Sequence, residues 1–423
     1  VTQDGLRATL DAIWRIESPK LIAGLSRLVR DVGRAEELAQ DAFVCALSQW
    51  QEEGIPRNPG AWLMTAAKRR AIDQVRRDQT LRRKTEILGY ELSAYESEPD
   101  VAALDGIDDD LLRLMFVACH PVLSKDARVA LTLKLLGGLT TVEIARAFLI
   151  SEAAMAQRIV RAKRTLSEAR VPFEVPAGAE RVRRLSSILE VIYLLFNEGY
   201  AATAGDDVLR PALVEDALRL GRMLAGLMPQ EAEVHGLAAL MEIQSSRMRA
   251  RVAASGEPIL LLDQDRGKWN RLLIGRGLAA LARAEKLAGS PGPYTLQAAI
   301  AACHGRATTN EQTDWVRITA LYDALAQLVP TPVVELNRAV AVGMAFGPQA
   351  GLDIADALLD EPALKSYHLL PSVRGDLLFK LQRLTEAAAE FERAAAQTEN
   401  ARERALLLGR AATARNGSSR LPH

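Results

Sequence analysis

Apolar residues recur at three- and four-residue intervals along nearly the whole chain, while period-two alternation and β-branched clusters are rare. A spacing near 3.6 gathers side chains on one face of an α-helix and scatters them on a strand. "LIAGLSRLVRDVGRAEELAQDAFVCALSQW" (21–50) shows the pattern, with an interruption expected at Gly33. Two prolines and two glycines make "QEEGIPRNPG" (51–60) a loop. The chain is therefore expected to be all-α. Its composition agrees, because Ala, Leu and Arg dominate and aromatics are only 5%. At 423 residues it exceeds one ordinary domain.

Lys+Arg and Asp+Glu are both 53, so the charge signal is local. Residues 57–84 hold nine Lys/Arg and two Asp, and residues 85–110 hold nine acids and no base. That change of sign predicts a basic working surface (57–84) followed by an acidic linker (85–110). Helices resume at Leu111 and run to about Arg170. "VPFEVPAG" (171–178) marks a second boundary, and a longer helical stretch follows from about 180 to 423.

On a helix over 62–80, Trp62, Arg69, Asp73, Arg76 and Arg77 share one face, and Leu63, Met64, Ala67, Ala71, Ile72 and Val75 share the other. Arginines grip phosphates and an aromatic ring can stack on an unpaired base. A solvated charged helix with a half-buried Trp would show the same pattern. "TTVEIARAFLISEAAMAQRIVRAKRTL" (140–166) is more specific. Thr140 or Thr141 caps a first helix with Glu143 in its first turn, and Ile144 and Phe148 point inward. "LIS" turns the corner, and Ser151 caps a second helix whose inner face is Met155, Ile159, Ala162 and Leu166. Ala153, Ala154, Gln157, Arg161 and Arg164 face outward, with Arg158 at the edge. Small residues allow approach to a groove, and the arginines beyond reach phosphates or guanine edges. This is a helix-turn-helix with its DNA-reading helix over about 151–166; the bland reading is a helical hairpin with a basic face.

Residues 5–170 resemble an extracytoplasmic-function (ECF) sigma factor of bacterial RNA polymerase. "RAEELAQDAFVCAL" (34–47) is similar to the helix that docks on the polymerase clamp, "NPGAWLMTAAKRRAIDQVRR" (58–77) to the helix that reads the −10 element, and 140–166 to the −35 reader. "MAQRIVRAKR" and "YLLFNEGYAAT" (193–203) resemble the ECF group with a C-terminal tetratricopeptide (TPR)-like extension. The resemblance implies sigma region 2 over 1–84 and sigma region 4 over 111–170. Glu36, Glu37, Gln40 and Asp41 would meet the clamp region of the β′ subunit. The 51–59 loop, with Arg57 and Asn58, would hold a flipped −10 base, and Trp62, Arg69, Asp73, Arg76 and Arg77 would line the melted strand. Ser151, Ala154, Gln157, Arg158, Arg161 and Arg164 would face the −35 element. Leu149 departs from the pattern, since the corner often carries glycine.

Near the end, "YHLLPSVRGDLLFKLQRLTEAAAEFERAAAQTEN" (367–400) has the length of a TPR unit, with Gly375, Ala387 and Ala394 where two helices approach and Phe391 as the bulky contact. Ala339, Ala350, Ile354 and Ala357 are expected to repeat that relation. Asn197, Glu198, Tyr200, Asp206, Asp207 and Arg210 form a polar cluster that reads as a capped interhelical loop or a ligand or partner contact. "LLDQDRGKWNRLLI" (261–274) reads as an ordered loop with Trp269 packed or as a recognition loop.

Cys119-His120 and Cys303-His304 are adjacent pairs rather than spaced ligands, so no metal is expected. Phosphate-loop, dinucleotide and nucleophile-elbow motifs are missing, so neither a cofactor nor an enzyme is expected. Three dispersed cysteines fit a reduced cytoplasmic protein. No apolar run predicts a membrane span, and the first residues lack the features of a signal peptide. The expected partners are core RNA polymerase, promoter DNA and a regulatory protein for the C-terminal domain. The competing expectation is a DNA-binding regulator whose helical-repeat domain senses a ligand or protein.

Overall fold

The computed structural model describes residues 3–86, 107–200, 209–253 and 256–418, with side chains over 9–72, 108–200, 209–253 and 256–417. Much of the expected acidic linker, and Asp206 and Asp207, lie outside the described residues. The described elements are helices joined by turns, with one isolated β-bridge between Val252 and Pro258. The chain divides into two compact units, 1–194 and 195–423.

The first unit holds α1 (Gln3–Val29), α2 (Val32–Glu53), α3 (Pro59–Glu86), α4 (Ile107–Ala118), α5 (Lys125–Leu135), α6 (Thr141–Ala147), α7 (Glu152–Glu168) and the start of α8 (Gly178–Tyr200). The break after α1 falls two residues before the expected Gly33. Arg30 turns left-handed at φ 55°, and the Asp31 side chain caps α2 by accepting from Arg34 N–H at 2.8 Å. A capping carboxylate is a stronger start signal than glycine is a stop, so Gly33 sits inside the first turn of α2. The three helices bury Leu21, Leu25, Leu38, Leu63, Ala67 and Ala71 against one another. Leu63, Met64, Ala67 and Ala71 form the buried face expected of α3.

Pro19 lies inside α1. It has no N–H, so the carbonyl of Arg15 loses its helical partner. Gly138 lies against that spot, left-handed at φ 68°. A Cβ there would stand 3.1 Å from Arg15 Cα and from Ser18 Oγ, so the loop after α5 reaches α1 only because glycine has no side chain. α4 packs on α1, and α7 on α2, α5 and α6. The two sequence modules are thus one packed body.

α8 belongs to that body as far as Leu194, past the boundary expected at 171–178. Arg184 donates to the Phe116 carbonyl at 2.8 Å, Ser187 Oγ to the Cys119 carbonyl at 2.7 Å, and Lys125 pairs with Glu190 at 2.6 Å. Burial pushes the Glu190 carboxyl up, but Lys125 and Arg128 outweigh it and hold it below the usual carboxylate range.

The second unit holds α9 (Pro211–Leu227), α10 (Ala232–Ser245), α11 (Arg271–Leu287), α12 (Pro293–Arg306), α13 (Trp315–Leu328), α14 (Pro332–Phe346), α15 (Pro348–Asp356), α16 (Leu369–Lys380), α17 (Leu384–Gln397) and α18 (Ala401–Ser418). Consecutive helices pack on one another, the arrangement of a helical-repeat array. Gly375 meets Phe391 as expected: a Cβ there would lie 2.7 Å from the ring, and Ala387 and Ala394 are fully buried beside it. The preceding pair differs. Ala339 is buried, but Ala350 and Ile354 are only partly so and Ala357 is exposed at the end of α15. Gly347 and Pro348 restart the helix, and the close approach passes to Gly351, whose Cβ would lie 2.8 Å from Gly343 Cα.

In the 261–274 loop, Trp269 is buried and carries the Arg266 guanidinium 4.9 Å from its ring centre. Arg266 also donates to the carbonyls of His304 and Ala307. The loop is ordered and Trp269 is packed. In the polar cluster, Glu198 pairs with Arg210, and Tyr200 hydrogen-bonds Gln244 at 3.0 Å.

Candidate nucleic-acid interface

The helix-turn-helix is built from α6 and α7. Thr140 Oγ1 accepts from Glu143 N–H, and Glu143 accepts from Thr140 N–H at 2.8 Å, a reciprocal capping box. Burial pushes the Glu143 carboxyl up, but the bonds from Thr140 and Arg15 outweigh it and leave it below the usual range. The corner is held by Ile150 N–H on the Ala145 carbonyl, and Leu149 takes the left-handed conformation at φ 52° with its side chain in solvent. Leucine thus stands where glycine would be unstrained. Ser151 Oγ accepts from Ala154 N–H at 3.2 Å and starts α7.

Met155, Ile159, Ala162 and Leu166 are buried, while Phe148 is only partly so. Ser151, Ala153, Ala154, Gln157, Arg161 and Arg164 are exposed along the other side. Arg158 is half-buried and pairs with Asp126 at 3.6 Å, and Arg164 binds Glu168 at 2.6 Å. That hydrogen bond raises the Arg164 pKa further above its ordinary value. Among the described residues no ion pair holds Arg161, which leaves it the readiest cation on this face.

In α3, Asn58 Oδ1 accepts from Ala61 N–H at 3.0 Å and caps the helix. Arg57 and Arg69 are exposed. Trp62 is half-buried with its ring edge-on to Trp50, 5.3 Å between centres. Arg70 turns inward to Cys45 Sγ. Asp73, Arg76 and Arg77 continue α3, but their side chains lie outside the described residues.

The expected polymerase-facing row on α2 is divided. Glu37 and Asp41 are exposed and Gln40 half-buried, but Glu36 is only 2% exposed. Gln40 donates to it at 2.8 Å, Lys134 of α5 stands 3.5 Å away, and Lys163 of α7 forms a shorter ion pair. In this arrangement Glu36 is a link between the modules. Lys134 and Lys163 escape sequence reasoning because both sit far along the chain on helices with other local explanations.

A three-helix body carrying an arginine- and tryptophan-bearing helix, packed with a capped helix-turn-helix, is the architecture of a DNA-binding initiation factor. Family comparison agrees: Sigma-70 region 2 matches residues 13–80, Sigma-70, region 4 matches 113–166, and a family of unknown function (DUF6596) matches 184–285. An uncharacterized protein of Rhizobium meliloti is 43% identical over 394 residues, covering 92% of each chain. A probable ECF RNA polymerase sigma factor, SigI of Mycobacterium tuberculosis, is 25% identical over 177 residues, 41% of this chain and 59% of that one. The ECF sigma factor SigK of Mycobacterium ulcerans is 31% identical over 126 residues, 29% of this chain and 64% of that one. The matches thus span about three-fifths of these two sigma factors. No solved structure matches. The chain belongs to the ECF sigma factors of RNA polymerase, in the group with a C-terminal helical extension. Its role is in transcription initiation, with core polymerase and promoter DNA as partners. No described helix is long and apolar enough to cross a membrane.

Proposed function

We propose that the chain directs polymerase to a set of promoters through two surfaces and is regulated in cis by its extension. Sigma region 2 (1–84) and sigma region 4 (111–170) are the working modules, joined by the acidic segment 85–110. Arg161, Arg164, Gln157, Ala154 and Ser151 meet the −35 element, with Arg158 at the edge. Arg57, Asn58, Trp62, Arg69, Asp73, Arg76 and Arg77 meet the −10 region as it melts. Glu37, Gln40 and Asp41 face the β′ clamp, and Glu36 joins them when the modules part.

One observation carries the regulatory reading. The DUF6596 match begins at residue 184, and Arg184 is 4% exposed with its guanidinium on the Phe116 carbonyl of region 4. Burial pulls the Arg184 pKa below its ordinary value. A buried arginine is costly to leave without its acceptors, so changes in the extension have a route into region 4. The extension is required for activity, and its helical array offers a surface for a regulatory protein.

The test is transcription by purified core polymerase from a pooled genomic template, with 5′ ends sequenced. Full-length protein is compared with a truncation after Leu194 and with Gly375→Leu, which drives a side chain into the Phe391 ring. Specific start sites with the full chain and their loss in both variants are expected. No start sites with any protein would return the chain to a DNA-binding regulator. Equal output from all three would remove the extension from control.

A further inference from the structure

A cavity of about 700 Å³ lies in the first unit where α1, the start of α2, α4 and the end of α7 meet. Its size is that of a small-molecule site. Five cations line it, Arg27, Arg30, Arg113, Lys163 and Arg170, against the carboxylates of Asp31 and Glu174. Three of the cations are engaged within the fold. Arg27 and Arg113 share buried Asp110, and Lys163 holds Glu36. Asp31 is occupied in capping α2.

Arg30 and Arg170 are left over. Both are exposed, and among the described residues no ion pair holds either. Both follow the C-terminus of a helix in the left-handed conformation, at φ 55° and 49°. Glycine is the unstrained residue at such positions, and an arginine there offsets its backbone cost only in part, through the negative end of the helix dipole. Ser26, 1% exposed, belongs to the lining, with its hydroxyl closed off from solvent. Val117, Leu166, Val171 and Phe173 give the cavity an apolar wall.

We propose that this cavity binds a nucleoside triphosphate, with the phosphates on Arg30 and Arg170 and the base against the Phe173 side. Guanidinium–phosphate pairs are strong and directional. Because the lining comes from both modules, the ligand clasps region 4 onto region 2 and keeps Glu36 beneath Lys134 and Lys163. Bound nucleotide therefore opposes polymerase docking, a consequence that rests on the reading of Glu36 above; the binding itself does not.

The test is calorimetric titration of the full chain with ATP and with GTP in roughly 0.15 M salt. Arg30→Gly with Arg170→Gly removes both guanidiniums while relieving the left-handed backbone, so the melting temperature is expected to hold. Arg276→Ala, an exposed site on α11, is the control. Saturable binding of one nucleotide per chain is expected, weakened by about tenfold or more in the double variant and unchanged in the control. No saturable binding, or equal binding in the double variant, would overturn the site. A double variant that loses duplex DNA but keeps nucleotide would assign the arginines to promoter backbone instead. Core-polymerase affinity measured with and without nucleotide reads the clasp separately, and an unchanged affinity overturns it.

Discussion

α7 and α2 each carry expected partner contacts, and they treat them in opposite ways. α7 buries only its apolar face and leaves Ser151, Gln157, Arg161 and Arg164 in solvent. α2 keeps Glu37 and Asp41 outside but holds Glu36 at 2% exposure under lysines from two other helices. The −35 face is therefore available in this arrangement, while the polymerase face is partly consumed by the fold itself. A charged residue near a helix surface can serve as an internal link or as an external contact, and only its neighbours in space decide which.

The largest way to break that contrast is Lys163→Glu. It sets a carboxylate beside buried Glu36 and removes its shorter ion pair. Losing one partner of a buried pair costs about 3 kcal/mol; solvent at the Lys163 side chain lowers that cost and the new like charge raises it. Urea denaturation should show the drop, and core-polymerase affinity should rise as the modules part. Lower affinity at unchanged stability would mean that Lys163 itself touches the polymerase.

Gly138→Ala tests the same seam without altering charge. The left-handed backbone and the 3.1 Å approach to Arg15 Cα predict a loss of about 2 kcal/mol. Denaturation midpoints of wild type and variant check it. If polymerase affinity also rises here, packing alone governs release of Glu36.

Arg161→Ala sharpens the other side of the comparison. It should cost about 1 kcal/mol of promoter binding, more if it reads a guanine edge than if it grips phosphate, and change stability by less than about 0.5 kcal/mol. Binding to matched and scrambled −35 duplexes at two salt concentrations separates base from phosphate. The same substitution at Arg158 should act less on DNA, since Asp126 already holds it.

The smallest effect concerns pH. Glu143 bonds Arg15 across the seam, and its carboxyl is held below the usual range. Its contribution is fully present above the unfolded pKa, near 4.5, and is lost as pH falls through the lower folded value. Glu143→Gln should flatten the acid limb of the stability curve below about pH 4.5. An unchanged limb would show that other carboxylates set it.

Local rules were enough for much of this. The 3.6-residue spacing, the caps at Thr140 and Ser151, the inner face of α7 and the Gly375–Phe391 contact are all set by residues a few positions apart, or by the volume of one side chain against another in the next helix. Such interactions are short-range along the chain, so the sequence states them directly. The burial of Glu36, the fit of Gly138 against the carbonyl that Pro19 leaves unpaired, and the extension of the first unit into α8 were decided by the tertiary structure. Each joins residues from about 60 to 130 positions apart. At that separation the cost of closing the chain grows only slowly with length, so many pairings are nearly equal until packing selects one. A lysine on α7 is locally as good a phosphate contact as its arginine neighbours, and only the folded neighbourhood turned Lys163 inward to Glu36.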